Sequence, residues 1–188
     1  MDDFVSFGSR TYVLTFLLLV LARGMDFLST WVATPNMVLE GNPIAKRLGW
    51  RWGIPINLGL CVLFAFWTLP AIVIGTTSAL VAARNFQSAW LMRSLGEQPY
   101  REWHLERFQE TNVTLYLFCL FAQTALTAAV GGAVVFFAWD RETEVMAIGL
   151  GIIAYAIAVA FFTLLGVVRL RRADKKEARR FVQNGVLE

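Results

Sequence analysis

This chain is poor in the residues that usually carry chemistry. It has one histidine, His104, and two cysteines, Cys61 and Cys119. A lone histidine excludes a zinc site built on several histidines, and a bis-histidine haem, within one chain. His104 reads as a solvated or interfacial residue, with a single axial ligand to a pigment or haem as the alternative. No other cofactor is implied. The sequence contains no His-Glu-x-x-His, no Gly-x-Ser-x-Gly, no Cys-x-x-Cys and no phosphate-binding glycine loop. Both cysteines lie inside apolar runs, so they read as small buried hydrophobes and not as a disulfide scaffold. Charge is scarce too: 16% of residues, against roughly 25% in soluble domains. A cleavable leader is not expected, because Asp2 and Asp3 stand where it would be basic and no small-residue cleavage site follows Val13 to Ala22.

What the chain has in quantity is apolar surface. Of its 188 residues, 57% are hydrophobic, and the mean hydropathy is +0.55. The apolar residues gather into long runs, which points to an integral membrane protein of one domain. The fold class expected is all-α: a bundle of four transmembrane helices, with interfacial amphipathic helices and a basic cytoplasmic tail. The spans are expected at about 12–33, 55–83, 111–139 and 145–168, with the tail at 169–188. The first span is extended forward from Val13–Ala22 because that run alone is too short for about 20 residues. It then ends at Trp31 and Thr34-Pro35, an interfacial residue followed by a helix stop.

Between spans one and two, Asn42-Pro43 starts a short helix that Gly49 closes. Pro70 lies mid-way along the second span and should kink it, since it cannot donate to the carbonyl of Phe66. The stretches from Arg84 to Leu95 and from Tyr100 to Glu110 mix charge with large apolar residues, as interfacial helices do. Thr124, Ala128 and Gly132 form a small-residue face on the third span. Ala147, Gly151, Ala154 and Ala158 form another on the fourth, and the two faces should meet. No internal repeat is present.

Basic residues set orientation. Four spans put both termini on one side, with 12 Lys and Arg there and 4 (Lys46, Arg47, Arg51, Arg141) on the other. Both termini are therefore expected in the cytoplasm, in a bacterial inner membrane. Membrane lipids and other membrane subunits are the expected partners, and nucleic acid is not.

The candidate site is Arg23, Asp26, Thr30, Glu40 and Asn42. The first three are spaced three and four apart and share one helix face. Ionisable residues at membrane depth are costly and mark a functional site by default. Arg23 and Asp26 read either as a binding or proton-handling site or as a pair that neutralises itself and pins packing. Glu40 and Asn42 either converge with Asp26, as a carboxylate pair or a hard-cation site with Thr30, or fasten their own loop by capping. The pattern Asp26, Thr30, then Glu40-x-Asn42-Pro43, resembles an uncharacterised prokaryotic family of small four-span membrane proteins. That resemblance covers about Arg23 to Gly49 and implies no activity. The function expected is a non-enzymatic accessory or scaffolding subunit of a larger membrane assembly. The alternative is a small intramembrane enzyme or transporter that uses Asp26 and Glu40 on a lipid or small polar ligand.

Overall fold

Apolar runs broken by Pro, Gly and Asn set the helix boundaries. The computed structural model describes residues 4–139 and 142–184, with side chains up to 169. Six helices follow in order: α1 Arg10–Ala33, α2 Pro43–Phe64, α3 Thr68–Leu95, α4 Glu97–Glu110, α5 Val113–Ala138 and α6 Thr143–Asn184. Among the described residues there is no strand, only an isolated bridge between Phe4 and Trp67. Four helices are long and apolar enough to cross a membrane: α1, α3, α5 and the Thr143–Arg169 part of α6.

Side-chain caps start α1, α2 and α5. Ser9 Oγ accepts from the Tyr12 N–H that opens α1. Asn42 accepts from Ile44 and Ala45 at the start of α2, with Pro43 as its first residue. Asn112 does the same for Thr114 in α5. Gly49, at φ 61°, interrupts α2 after the short helix Pro43–Leu48. That left-handed turn is open to glycine without steric cost.

The helices stand in the contact order α2, α1, α3, α6, α5. Register gives their directions. Along α1 and α3, Leu18 meets Gly75, Arg23 meets Ser78, Ser29 meets Asn85 and Thr34 meets Glu97. Both numbers rise together, so α1 and α3 are parallel. Along α1 and α2, Tyr12 meets Val62, Arg23 meets Asn57 and Phe27 meets Gly53. Here the numbers run oppositely, so α2 returns antiparallel beside α1. The α1–α3 contact is made by small residues on α3, Ala71, Gly75, Ser78, Ala82 and Ala89, all buried. Their spacing of three to seven residues keeps one smooth stripe on the α1 side, which permits close approach.

Several expectations are corrected. The apolar stretch 55–83 is not one helix. It ends at Phe64, and α3 begins at Thr68. The break is stabilised from α1: Tyr12 Oη donates to the Val62 carbonyl at 3.3 Å and Thr15 Oγ1 to the Ala65 carbonyl at 3.0 Å. These are carbonyls that a helix end leaves without partners. Pro70 therefore falls in the first turn of α3, where its missing N–H costs nothing, and it kinks no span. Second, residues 84–95 continue α3, and only α4 stands apart. Around α4 just Glu97, Tyr100, Leu105 and Phe108 turn inward, and Phe108 alone is buried. It is polar over most of its circumference and lacks the broad apolar face of an interfacial amphipathic helix. Third, the close approach of α5 to α6 uses Gly131 and Gly149, not Gly132. A Cβ on either glycine would come within 2.8 Å of the other's carbonyl oxygen, while Gly132 faces open space. Gly151 packs on Val73 and Thr76 of α3 instead. Residues 149 and 151 lie about 200° apart around a helix, so α6 serves two neighbours. Cys61 is buried as expected, but Cys119 is exposed on α5.

Candidate functional site

The Arg23 side chain is where three helices are joined. Its Nη1 donates to Asp26 Oδ2 at 2.9 Å, one turn along α1. The same nitrogen reaches Ser78 Oγ of α3 at 3.1 Å. Its Nε donates to Asn57 Oδ1 of α2 at 3.0 Å, and Nη2 bonds the same oxygen. Asn57 is turned into this position by its own Nδ2, which donates to the Gly53 carbonyl at 2.8 Å. The guanidinium also lies over the Phe27 ring at 5.7 Å. The planar fork of arginine, with five donors, suits such a three-way junction better than a lysine point charge.

Thr30, on the same face, belongs to a second tie. Asn85 Nδ2 of α3 donates to Ser29 Oγ at 3.2 Å and to Thr30 Oγ1 at 3.4 Å. Ser29 in turn donates to the Asp26 carbonyl at 2.8 Å. Glu40 Oε1 accepts from the Asn42 N–H of its own loop at 2.7 Å. Asn42 Oδ1 is taken by the start of α2. Of the five expected site residues, then, Arg23 and Asp26 are bonded to each other, Thr30 is bonded to α3, and Glu40 and Asn42 fasten the loop they belong to.

The third tie involves Glu97, a residue outside the expected site. The four-span expectation put its loop and the Glu40 loop at opposite ends, yet the structure joins them. Thr34 Oγ1 donates to Glu97 Oε2 at 2.6 Å and the Val38 N–H at 3.0 Å. The Asn36 N–H and Nδ2 both donate to Oε1 at 2.9 Å. Burial on its own would push Glu97 up, but these four bonds outweigh it and hold the carboxyl below the usual glutamate range. The loop they hold is tight: Met37 adopts φ 57°, uncommon for a residue with a side chain, and is buried. Trp50 Nε1 closes the loop by donating to the Pro35 carbonyl at 2.9 Å.

Ser78, Asn85 and Glu97 were not in the expected site. Ser78 and Asn85 carry a sequence signal, being polar residues seven apart on the small-residue stripe of α3. Glu97 carries another: an acid in the first turn of a helix just after Gly96. His104 is exposed and stacks on Tyr100, with centroids 6.0 Å apart. Burial pushes the Tyr100 hydroxyl up.

A cavity of about 140 Å³ lies against Arg23 and Asn57, lined also by Leu19, Leu60, Cys61, Phe64 and Ile74. A larger groove, about 470 Å³, lies far from these polar groups between the ends of α5 and α6 and is almost wholly apolar. Among the described residues no buried side-chain nitrogen or oxygen lacks a partner, and no three His, Cys, Asp or Glu gather as a metal site would need. No family model, curated protein or solved structure matches this chain.

Proposed function

We propose that this protein is a non-enzymatic integral membrane subunit, an accessory or scaffolding element of a larger membrane assembly. The observation that carries this reading is the commitment of Arg23. Its donors go to Asp26, Asn57 and Ser78, on three helices of its own chain. A site that handled substrate would hold some of those donors ready for it. The ties through Asn85 and Glu97 have the same character. Large exposed side chains on α5, such as Phe118, Leu126, Phe136 and Phe137, supply an apolar flank for lipid or for neighbouring subunits. The reading includes an inner-membrane location and membership of the uncharacterised prokaryotic family that Asp26, Thr30 and Glu40-x-Asn42-Pro43 resemble.

The cavity beside Arg23, Asn57 and Cys61 favours a second reading, a small polar ligand held within the bundle. Extraction from native membranes into polymer nanodiscs, followed by native mass spectrometry, separates the two. The proposal expects this 21.1 kDa chain in fixed ratio with another polypeptide. A lone chain or homo-oligomer carrying a small molecule, lost in Arg23→Met, would establish the second reading and overturn the first.

A further inference from the structure

Parallel α1 and α3 impose a topological condition. If both cross the membrane in one direction, the chain between them must cross in the other. α2 is the element that does so, since it runs antiparallel beside α1 from Gly53 at Phe27 to Ala65 at Thr15. Its segment after Gly49 spans about 22 Å at 1.5 Å per residue. That is short of a hydrocarbon core of about 30 Å, a mismatch that local thinning and flanking anchors accommodate. Hydropathy passes over it because Lys46, Arg47 and Arg51, with Asn57, dilute the run. Asn57 is nonetheless satisfied at depth by Arg23, which membrane burial requires.

The remaining helices follow by register. α4 leads from the end of α3 to the start of α5, where Phe108 packs on Tyr116 with ring centroids 5.2 Å apart, and Gly131 of α5 meets Gly149 of α6, close to the level of Val73. Thus α5 runs against α3, and α6 runs with it. Five crossings result, and the N-terminus and the tail fall on opposite sides. The α1–α2 loop, α4 and the end of α6 share one face. By sequence that face collects 14 of the 17 Lys and Arg residues, and the other face only Arg10 and Arg141. The imbalance exceeds the one that four spans give.

We infer that α2 is a fifth, short span and that its N-terminal segment docks on anionic phospholipid headgroups of the cytoplasmic leaflet. The patch is built for an interface. Lys46, Arg47 and Arg51 are exposed beside exposed Ile44 and Trp52, and the Arg51 guanidinium lies 5.9 Å from the Trp52 ring. Basic groups next to an aliphatic and an aromatic side chain match a charged headgroup above an acyl chain. α4 adds little to it, because Glu102, Glu106 and Glu110 surround Arg101 and Arg107. In this arrangement the N-terminus is extracytoplasmic and the Glu40 loop cytoplasmic.

Two measurements on the full chain test this. Single cysteines at Ser6, Gly41 and Gln98, with Cys61 and Cys119 replaced by alanine, are labelled with an impermeant maleimide on intact and permeabilised cells. Gly41 has open space for the added side chain. Ser6 should label from outside, and Gly41 and Gln98 only after permeabilisation. Gly41 and Gln98 on opposite sides would remove the fifth crossing, and Gly41 labelled from outside would remove the cytoplasmic leaflet. For the headgroup, the purified protein is mixed with equimolar phosphatidylglycerol and phosphatidylcholine, and retained lipid is read by native mass spectrometry. Phosphatidylglycerol should be enriched about fivefold, the effect of one surface basic group, and Arg47→Gln with Arg51→Gln should bring the ratio near one. An equal ratio for the wild type, or an unchanged ratio for the variant, overturns the docking.

Discussion

Replacing Glu97 by alanine should loosen both ends of the first loop at once. The carboxylate accepts four hydrogen bonds from Thr34, Asn36 and Val38, two of them from backbone N–H groups. Each such bond contributes about 1 kcal/mol net. Glu97 is half exposed, so water replaces part of what is lost, and ~2–3 kcal/mol is the expected cost. For a chain of this size that lowers Tm by about 4–12 °C. Thermal unfolding in detergent, read by tryptophan fluorescence, measures it. Hydrogen exchange at the Asn36 and Val38 amides should rise in the same variant. The sign with pH is also set. The folded carboxyl titrates below its usual range, so its contribution is complete above the unfolded value of about 4.3 and is lost as pH falls through the lower, folded value. Wild type should lose Tm on acidification below about pH 4 more steeply than Glu97→Gln. A Glu97→Ala protein with unchanged Tm and unchanged exchange at both amides would refute the reasoning.

Asp26→Ala leaves the Arg23 guanidinium half-buried without its counter-charge and should cost about 3 kcal/mol, the low end for a broken buried pair, seen as reduced folded yield. Gly149→Ala drives a Cβ into the Gly131 carbonyl and should cost about 1–3 kcal/mol of stability as overpacking. Its control, Gly132→Ala, meets nothing within 4 Å and should be neutral or stabilising by up to about 1 kcal/mol; equal behaviour of the two in a melt would disprove the α5–α6 contact. Pro70→Ala should leave Tm within about 2 °C, since a first-turn proline removes no helical bond; a larger drop would mean Pro70 has another role.

Local signals were legible in the sequence and long-range ones were not. The end of α1 at Thr34-Pro35, the short helix from Pro43 to Leu48 and its closure at Gly49 follow from residues with restricted backbones. The Arg23–Asp26 bond follows from spacing on one turn. The break between α2 and α3 was hidden because Phe64, Ala65, Phe66 and Trp67 are apolar and contain no breaker. Its stabilisation comes from Tyr12 and Thr15, about 50 residues earlier. Pro70 did hold the clue, since proline belongs in the first turn of a helix as well as at a kink. Gly131 and Gly132 are adjacent, and only the packing of α6 decides which one makes the contact. The Glu97 tie depends on α3 running parallel to α1, which no local pattern encodes.

Arg23, Asp26, Asn57 and Ser78 bond one another across three helices, and on the function proposed they serve packing and no ligand. The decisive measurement is recovery of the native assembly by Arg23→Met with Asp26→Leu, compared with wild type in native-lipid nanodiscs. Apolar replacement of both partners removes the buried charge as a pair, so folded yield should rise well above that of Asp26→Ala, short of wild type because Asn57 and Ser78 lose Arg23, with the same co-isolated polypeptides in the same ratio. A double variant that folds but loses its partner, or releases a bound small molecule, would show that the cluster serves a ligand or partner instead.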